Sequence, residues 1–280
     1  MRKIVFFILI ALLQAGCSPY ESRFLRVPRT MWQAPDRAIV LDIPGENNAT
    51  IRAWLFQPDT HHAATPSPLL IIAHGRSDPM SDYRELAPRL ADETGSAVCV
   101  FDYRGFGASS DLEHPTRQTL IEDTARVIEH LRARDDTDPD RTILFGVSLG
   151  AYPASASFAD DPTISALMLW GAPADIKRLI ADGHESLNPI TQLLAQLIIQ
   201  RHREPIDSIR LANQRPVLIA HAEHDEIVRV RHAELLAEAA DHATTVIDLR
   251  GTHSSISEPT ITQMVEFVRA RSGTPTDTGI

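Results

Sequence analysis

Short, almost unbroken apolar runs alternate with amphipathic stretches along most of this chain, and few folds accept that order. The runs are Ala38–Ile43, Thr50–Phe56, Leu69–Ala73, Ala97–Asp102, Thr142–Gly146, Ile164–Trp170, Val217–Ala220 and Thr244–Leu249. Between them lie helical patterns at Tyr83–Glu93, Arg117–Arg134, Leu149–Phe158, Val230–Ala240 and Glu258–Arg271. A strand covered on both faces reads as a continuous apolar run, whereas a half-exposed strand alternates. Ile51-Arg52-Ala53-Trp54-Leu55-Phe56 alternates in part and reads as an edge; the later runs read as covered. Strand–helix alternation then implies right-handed crossovers and a mostly parallel sheet of about eight strands with helices on both faces. With 280 residues and 43% hydrophobic side chains, the chain can bury the core such a sheet needs without disulfides or metals. Sites on sheets of this kind sit at the carboxyl ends of the strands, so the residues that follow each run carry the functional argument.

After Thr142-Ile143-Leu144-Phe145 comes Gly146-Val147-Ser148-Leu149-Gly150, followed by a helical run. A G-x-S-x-G between strand and helix is a nucleophile elbow: the serine is held in a strained backbone state on a sharp turn, and small residues on either side let strand and helix approach. Ser148 is the candidate nucleophile. After Leu69–Ala73 comes His74-Gly75-Arg76-Ser77-Asp78, where Gly75 lets the chain turn so that the next amide points into the site. The backbone N–H groups of Arg76 and Leu149 are candidate donors to an oxyanion. His74 is expected to hydrogen-bond within that turn, beside the substrate pocket, rather than to transfer protons. After Val217–Ala220 comes His221-Ala222-Glu223-His224-Asp225-Glu226-Ile227-Val228, in which Glu223, Asp225 and Glu226 compete to be the orienting acid. After Thr244–Leu249 comes Arg250-Gly251-Thr252-His253-Ser254, and His253, the last histidine of the chain, is the candidate general base.

With these motifs in this order, residues 38–270 resemble the α/β-hydrolase superfamily, and within it the bacterial serine aminopeptidase-like branch. Phe101-Asp102-Tyr103-Arg104-Gly105-Phe106-Gly107-Ala108-Ser109 is similar to the branch's loop after strand four, and Asp207-Ser208-Ile209 before Pro216-Val217-Leu218-Ile219 is similar to its lead-in to the acid loop. The resemblance selects Asp225 among the three carboxylates, four residues past His221 and three before Val228. It implies a triad in the chain order Ser148, Asp225, His253. Two positions depart from the branch. Arg76 stands where Asn or Gly is usual, and Ala222 stands where Gly usually follows the histidine of the acid-loop strand. The Arg76 guanidinium is expected at the pocket mouth, where it would favour anionic substrates; the other reading leaves it facing solvent, with only its amide in use.

An insert of about residues 174–213 is expected between strands six and seven. In it Ile190, Leu193, Leu194, Leu197 and Ile198 form an i, i+3, i+4, i+7, i+8 stripe, with Gln192, Gln196, Gln200 and Arg201 opposite. Two uses fit: a small lid whose Leu194 and Ile198 roof an acyl pocket, and a packing helix of the outer layer.

The chain opens Met1-Arg2-Lys3, runs apolar from Ile4 to Leu13 and leaves through Gln14-Ala15-Gly16-Cys17. The run is too short for a bilayer span of about 20 residues and fits a secretory signal. It resembles a bacterial lipoprotein signal, which implies lipidation of Cys17, with Gln14 standing where an aliphatic residue is usual. The organisation read from the chain is a signal over 1–16, a tether over 17–37, the hydrolase domain over 38–271 and a flexible tail over 272–280. Several acyl chains on one cysteine anchor stably, so a lipid-anchored, periplasm-facing protein of the bacterial envelope is expected, with a soluble secreted form as the alternative.

Other classes fall away on composition. The formal net charge is −10, from 27 Lys+Arg against 37 Asp+Glu, and no basic cluster suits nucleic acid. Twelve histidines and two cysteines include no H-E-x-x-H or C-x-x-C pattern, so no metal site is expected. Cys99, in Ala97-Val98-Cys99-Val100-Phe101, reads as a small buried hydrophobe. The function read from sequence is a cofactor-free serine hydrolase of carboxylic esters, or of thioesters or amides, acting on a small-molecule acyl substrate through an acyl-enzyme on Ser148. An acyltransferase, a short-peptide peptidase and a non-catalytic envelope binding protein are the alternatives; no protein partner is inferred.

Overall fold

Apolar alternation along the central strands builds a sheet with two buried faces. The computed structural model describes Leu25 and residues 33–60, 65–182, 203–212, 214–240 and 242–273. Its strands are β1 (Ile39–Pro44), β2 (Thr50–Phe56), β3 (Ser67–Ala73), β4 (Ala97–Phe101), β5 (Thr137–Val147), β6 (Ile164–Trp170), β7 (Val217–Ala222) and β8 (Ala243–Asp248). They form one eight-stranded sheet in the order β1-β2-β4-β3-β5-β6-β7-β8. β1 pairs antiparallel with β2, and β2 antiparallel with β4; every other pairing is parallel. This is the α/β-hydrolase fold that the sequence implies.

Successive side chains of β3 serve opposite layers. Leu69 and Ile71 join one core cluster with Leu120, Val127 and Leu131 of α2 (Arg117–Arg132) and Phe158 of α3 (Ala151–Asp160), while Leu70 and Ile72 join the other with Leu90 of α1 (Leu86–Thr94). The second layer is completed by Met264 and Val268 from the C-terminal helix, Glu258–Ser272. α2 starts in a reciprocal cap: the Thr116 side chain accepts from the Thr119 N–H, and the Thr119 hydroxyl accepts from the Thr116 N–H. Cys99 is fully buried, and burial pushes its thiol up to about 12.

The structure departs from the sequence reading in five places. β2, read as an edge, is paired on both sides and mostly buried, because β1 takes the edge. β8, read as covered, closes the other edge with Thr244, Thr245 and Ile247 exposed. β5 begins at Thr137, five residues before its apolar run, because Thr137 and Asp138 pair with Ser67 and Pro68 before a register shift at Leu69. The helix after the elbow starts at Ala151, behind a 3₁₀ turn over Ser148–Gly150. Among the described residues between β6 and β7 stand two short helices that the periodicity did not reveal, α4 (Ile176–Asp182) and α5 (Pro205–Arg210). They are part of the expected insert. Its apolar stripe, including Leu194 and Ile198, lies outside the described residues, as do Cys17 and the signal segment. Two helices follow β7 and β8: α6 (Arg231–Ala239) and α7, the Glu258–Ser272 helix. No helix of the described residues is long and apolar enough to cross a membrane.

Candidate active site

The elbow is shaped by what cannot fit there. Ser148 has φ +49°, in the left-handed region that a side chain with Cβ enters only under constraint. The constraint is close packing of β5 and α3 against β3. A Cβ on Gly150 would lie 1.8 Å from the Ala73 carbonyl oxygen, and one on Gly146 would lie 2.9 Å from the Ala154 Cβ. No side chain larger than hydrogen fits at either position, so the serine is presented at the tip of a turn that nothing else on the strand occupies. The loop after β3 passes beside it: a Cβ on Gly75 would lie 3.4 Å from the Ser148 Cβ. That contact brings Arg76 next to the nucleophile, with Leu149 already in the elbow turn.

Three strand ends then meet. The His253 Nε2 is 2.9 Å from the Ser148 Oγ, and its Nδ1 is 2.7 Å from the Asp225 Oδ2. A carboxylate only accepts, so Nδ1–H donates to Asp225 and Nε2 is left to accept the serine hydroxyl proton. The other carboxylate oxygen, Oδ1, accepts the Ile227 and Val228 N–H groups, each at 2.8 Å. Burial pushes the Asp225 carboxyl up, but the His253 contact and these backbone donors outweigh it and hold the group below its ordinary value. Asp225 is therefore an anion whose Oδ2 accepts the His253 Nδ1–H. Glu223 and Glu226, its rivals in sequence, are exposed.

The loop that carries His253 is pinned by groups the sequence did not announce. The Trp170 Nε1–H donates to the His253 carbonyl at 2.9 Å. Asp248, at the end of β8, accepts from the Arg250, Gly251 and Ser257 N–H groups at 2.8–3.0 Å. Burial pushes the Asp248 carboxyl up, the three N–H donors pull it down further, and it settles at about 2. Asp102 does the same for the loops after β3 and β4, accepting from the Met80 N–H at 2.9 Å and the Ala108 N–H at 2.8 Å. A carboxylate at the end of a strand, two to three residues before a glycine turn, is the sequence signal for Asp248; nothing local marks Trp170.

A cavity of about 410 Å³ opens beside His253. Its wall combines Trp170, Ile256 and Ile261 with Asp78, Asp82 and Glu85. Burial raises the Asp78 carboxyl above its ordinary value. Two residues expected at the pocket, His74 and Arg76, do not line this cavity. His74 is fully buried: its Nδ1–H donates to the Gly75 carbonyl at 2.6 Å, and its ring packs 4.6 Å from that of Tyr103. It braces the turn from behind because the aromatic cluster of Tyr103 and Phe106 offers the ring an apolar socket. Arg76 is absent from the cavity wall, whose charged side chains are Asp78, Asp82, Glu85 and Arg89, the last ion-paired with Glu93 and Glu258. Among the described residues no group of three or more His, Cys, Asp and Glu side chains is arranged to hold a metal ion.

Comparison with known proteins agrees with this fold. A family model described as serine aminopeptidase, S33, matches residues 64–207, just over half of the chain. An uncharacterised protein, YfhR, of Escherichia coli (strain K12) is 27% identical over 228 residues, covering 73% of this chain and 79% of that protein. The quorum-quenching protein AidA of Acinetobacter baumannii is 32% identical over 156 residues, 52% of this chain and 47% of AidA. Among solved structures, the esterase domain of a Rhodothermus marinus protein superposes with a TM-score of 0.60 at 21% identity, covering 83% of this chain and 96% of that domain.

Proposed function

Because the chain belongs to the serine aminopeptidase S33 family of α/β-hydrolases, we propose that this hydrolase cleaves carboxylic esters, with thioesters and amides as the adjoining chemistry. The observation that carries the reading is the continuous hydrogen-bonded line from the Ser148 Oγ through His253 to Asp225, with the serine on a strained elbow. As the Oγ attacks the acyl carbon, its proton passes to the His253 Nε2, and Asp225 stabilises the imidazolium that forms. The carbonyl oxygen becomes an oxyanion held by the N–H groups of Arg76 and Leu149, each worth about 2.7–4 kcal/mol in the transition state. His253 then returns the proton to the departing alkoxide, leaving an acyl-Ser148. Water, deprotonated by His253, attacks that ester; the acid leaves and Ser148 recovers its proton. No step requires a cofactor.

The cavity suits a small acyl or alcohol group. Its three carboxylates outnumber the one guanidinium on the wall, Arg89, which is already paired with Glu93 and Glu258, so neutral or amine-bearing substrates are favoured over anionic ones, and the same feature supports cleavage of short peptides with a free amine as the second reading. The test is a panel of chromogenic esters of graded chain length beside aminoacyl amides. Short neutral esters are expected to turn over, with all turnover lost in Ser148→Ala. Turnover that survives Ser148→Ala would overturn the reading, and amides outpacing esters would select the second.

Cys17 is proposed as the lipidated residue that ties the protein to the bacterial envelope. Wild type is then expected in the detergent phase of a Triton X-114 partition and Cys17→Ser in the aqueous phase. Wild type in the aqueous phase would exclude the anchor.

A further inference from the structure

One fully buried imidazole at the site takes no part in the steps above. His221, in β7, points its Nε2 at the Val228 carbonyl, 2.7 Å away, and at the Asp225 Oδ2, 3.5 Å away. A carbonyl only accepts, so Nε2 carries the hydrogen and donates to Val228. The opposite nitrogen, Nδ1, is buried and has no hydrogen-bond partner among the described residues. The ring is therefore fixed by a single directional bond, and that bond ends on the turn that holds the catalytic acid.

Val228 is gripped from both sides. Its N–H donates to the Asp225 Oδ1, and its carbonyl accepts from His221. The two bonds close a small ring of contacts, His221 to Val228 to Asp225, which ties the turn back to the strand it leaves. Resting on the triad reading above, we propose that His221 is a positioning residue: its Nε2–H locks the 225–228 turn so that the Asp225 Oδ2 meets the His253 Nδ1. Burial lowers the His221 pKa, so the ring stays neutral and leaves the Asp225 charge to His253. Neither His221 nor Val228 touches the reacting atoms in this scheme. Their effect reaches Ser148 only through the tautomer and orientation of His253.

The choice of substitution follows from reach. Glutamine sets an amide N–H close to where the His221 Nε2–H lies, whereas asparagine ends near Nδ1 and falls short of Val228. Both are neutral and polar, so the pair separates the donor from bulk and charge. In His221→Asn, kcat for the best ester is expected to fall roughly 10- to 100-fold with KM within about threefold, as for a misplaced but intact site. His221→Gln is expected to recover most of that loss. A structural role alone would lower the active fraction and leave the kcat of the surviving molecules unchanged, so active sites are counted by titration. Heteronuclear NMR of the histidine rings supplies a readout that needs no turnover. His253 is expected as a single Nδ1–H tautomer in wild type and His221→Gln, and as a tautomer mixture in His221→Asn. A His253 still locked as Nδ1–H in folded His221→Asn would overturn the proposal. A wild type that hydrolyses nothing would instead overturn the hydrolase reading, and the NMR comparison would still decide the role of His221.

Discussion

Ser148 occupies a backbone state that costs on the order of 1–3 kcal/mol for a residue with Cβ, so the surrounding packing must over-determine it. Gly150 is where that packing is tightest, with the Ala73 carbonyl inside the volume a methyl group would fill. Gly150→Ala is expected to cost at least about 3 kcal/mol by pushing α3 off β3. Thermal unfolding checks it, and a variant with wild-type Tm would show that the elbow is looser than described. At this scale the sequence was most legible where the chemistry is local. Gly146-Val147-Ser148-Leu149-Gly150 contains its own geometric reason, and so Ser148 was readable. Asp225 was not readable alone, since Glu223 and Glu226 share its loop and only the fold turns one carboxylate inward. The placement of His74 was hidden for a related reason. A histidine after a strand says nothing about which side of the turn receives its ring, and here the Tyr103 and Phe106 rings take it.

Two of the loops around the site are anchored by carboxylates at strand ends, Asp102 for the loop after β3 and Asp248 for the loop that carries His253. Asp248 is the clearest case, with three backbone donors on one side chain between β8 and α7. Its carboxyl is lowered from 3.8 to about 2, a difference that contributes on the order of 2 kcal/mol when the group is ionised. Because the folded state holds the proton less tightly than the unfolded chain, this stability is present above the unfolded value and is lost as pH falls towards the folded one. Asp248→Asn is expected to lower thermal stability at neutral pH, with the gap to wild type shrinking below about pH 4 and closing near about pH 2. A gap independent of pH would contradict the assignment. The insert between β6 and β7 is held at both described stems. Asp182, at the end of α4, is ion-paired with Arg231, and Glu204, before α5, is 3.0 Å from Arg117 and also accepts the Ile176 N–H. Long apolar elements such as β3, β6 and β7 were legible from their runs. The stems were not, because helices of seven and six residues show too little periodicity, and the start of β5 was masked by Asp138-Pro139-Asp140-Arg141.

For the whole molecule, the strand order explains why residues 105 positions apart in sequence come within hydrogen-bonding distance. β5, β7 and β8 run parallel, so their carboxyl ends and the loops that follow share one edge of the sheet. Burial of β6 and β7 holds their strand ends in place, and the contacts made by Trp170 and Asp248 fix the loop that completes the triad. The acidic balance of the chain continues into the cavity, where Asp78, Asp82 and Glu85 face the space beside His253. The central claim is that Ser148 is an activated nucleophile, and the most direct measurement is covalent labelling of the purified protein with a fluorophosphonate probe, read by intact mass. The expected result is one adduct per chain, located on Ser148 by peptide mapping, absent in Ser148→Ala and slowed by at least about a thousandfold in His253→Ala. A folded wild-type protein that takes up no probe, or takes it up equally well without Ser148, would contradict the account.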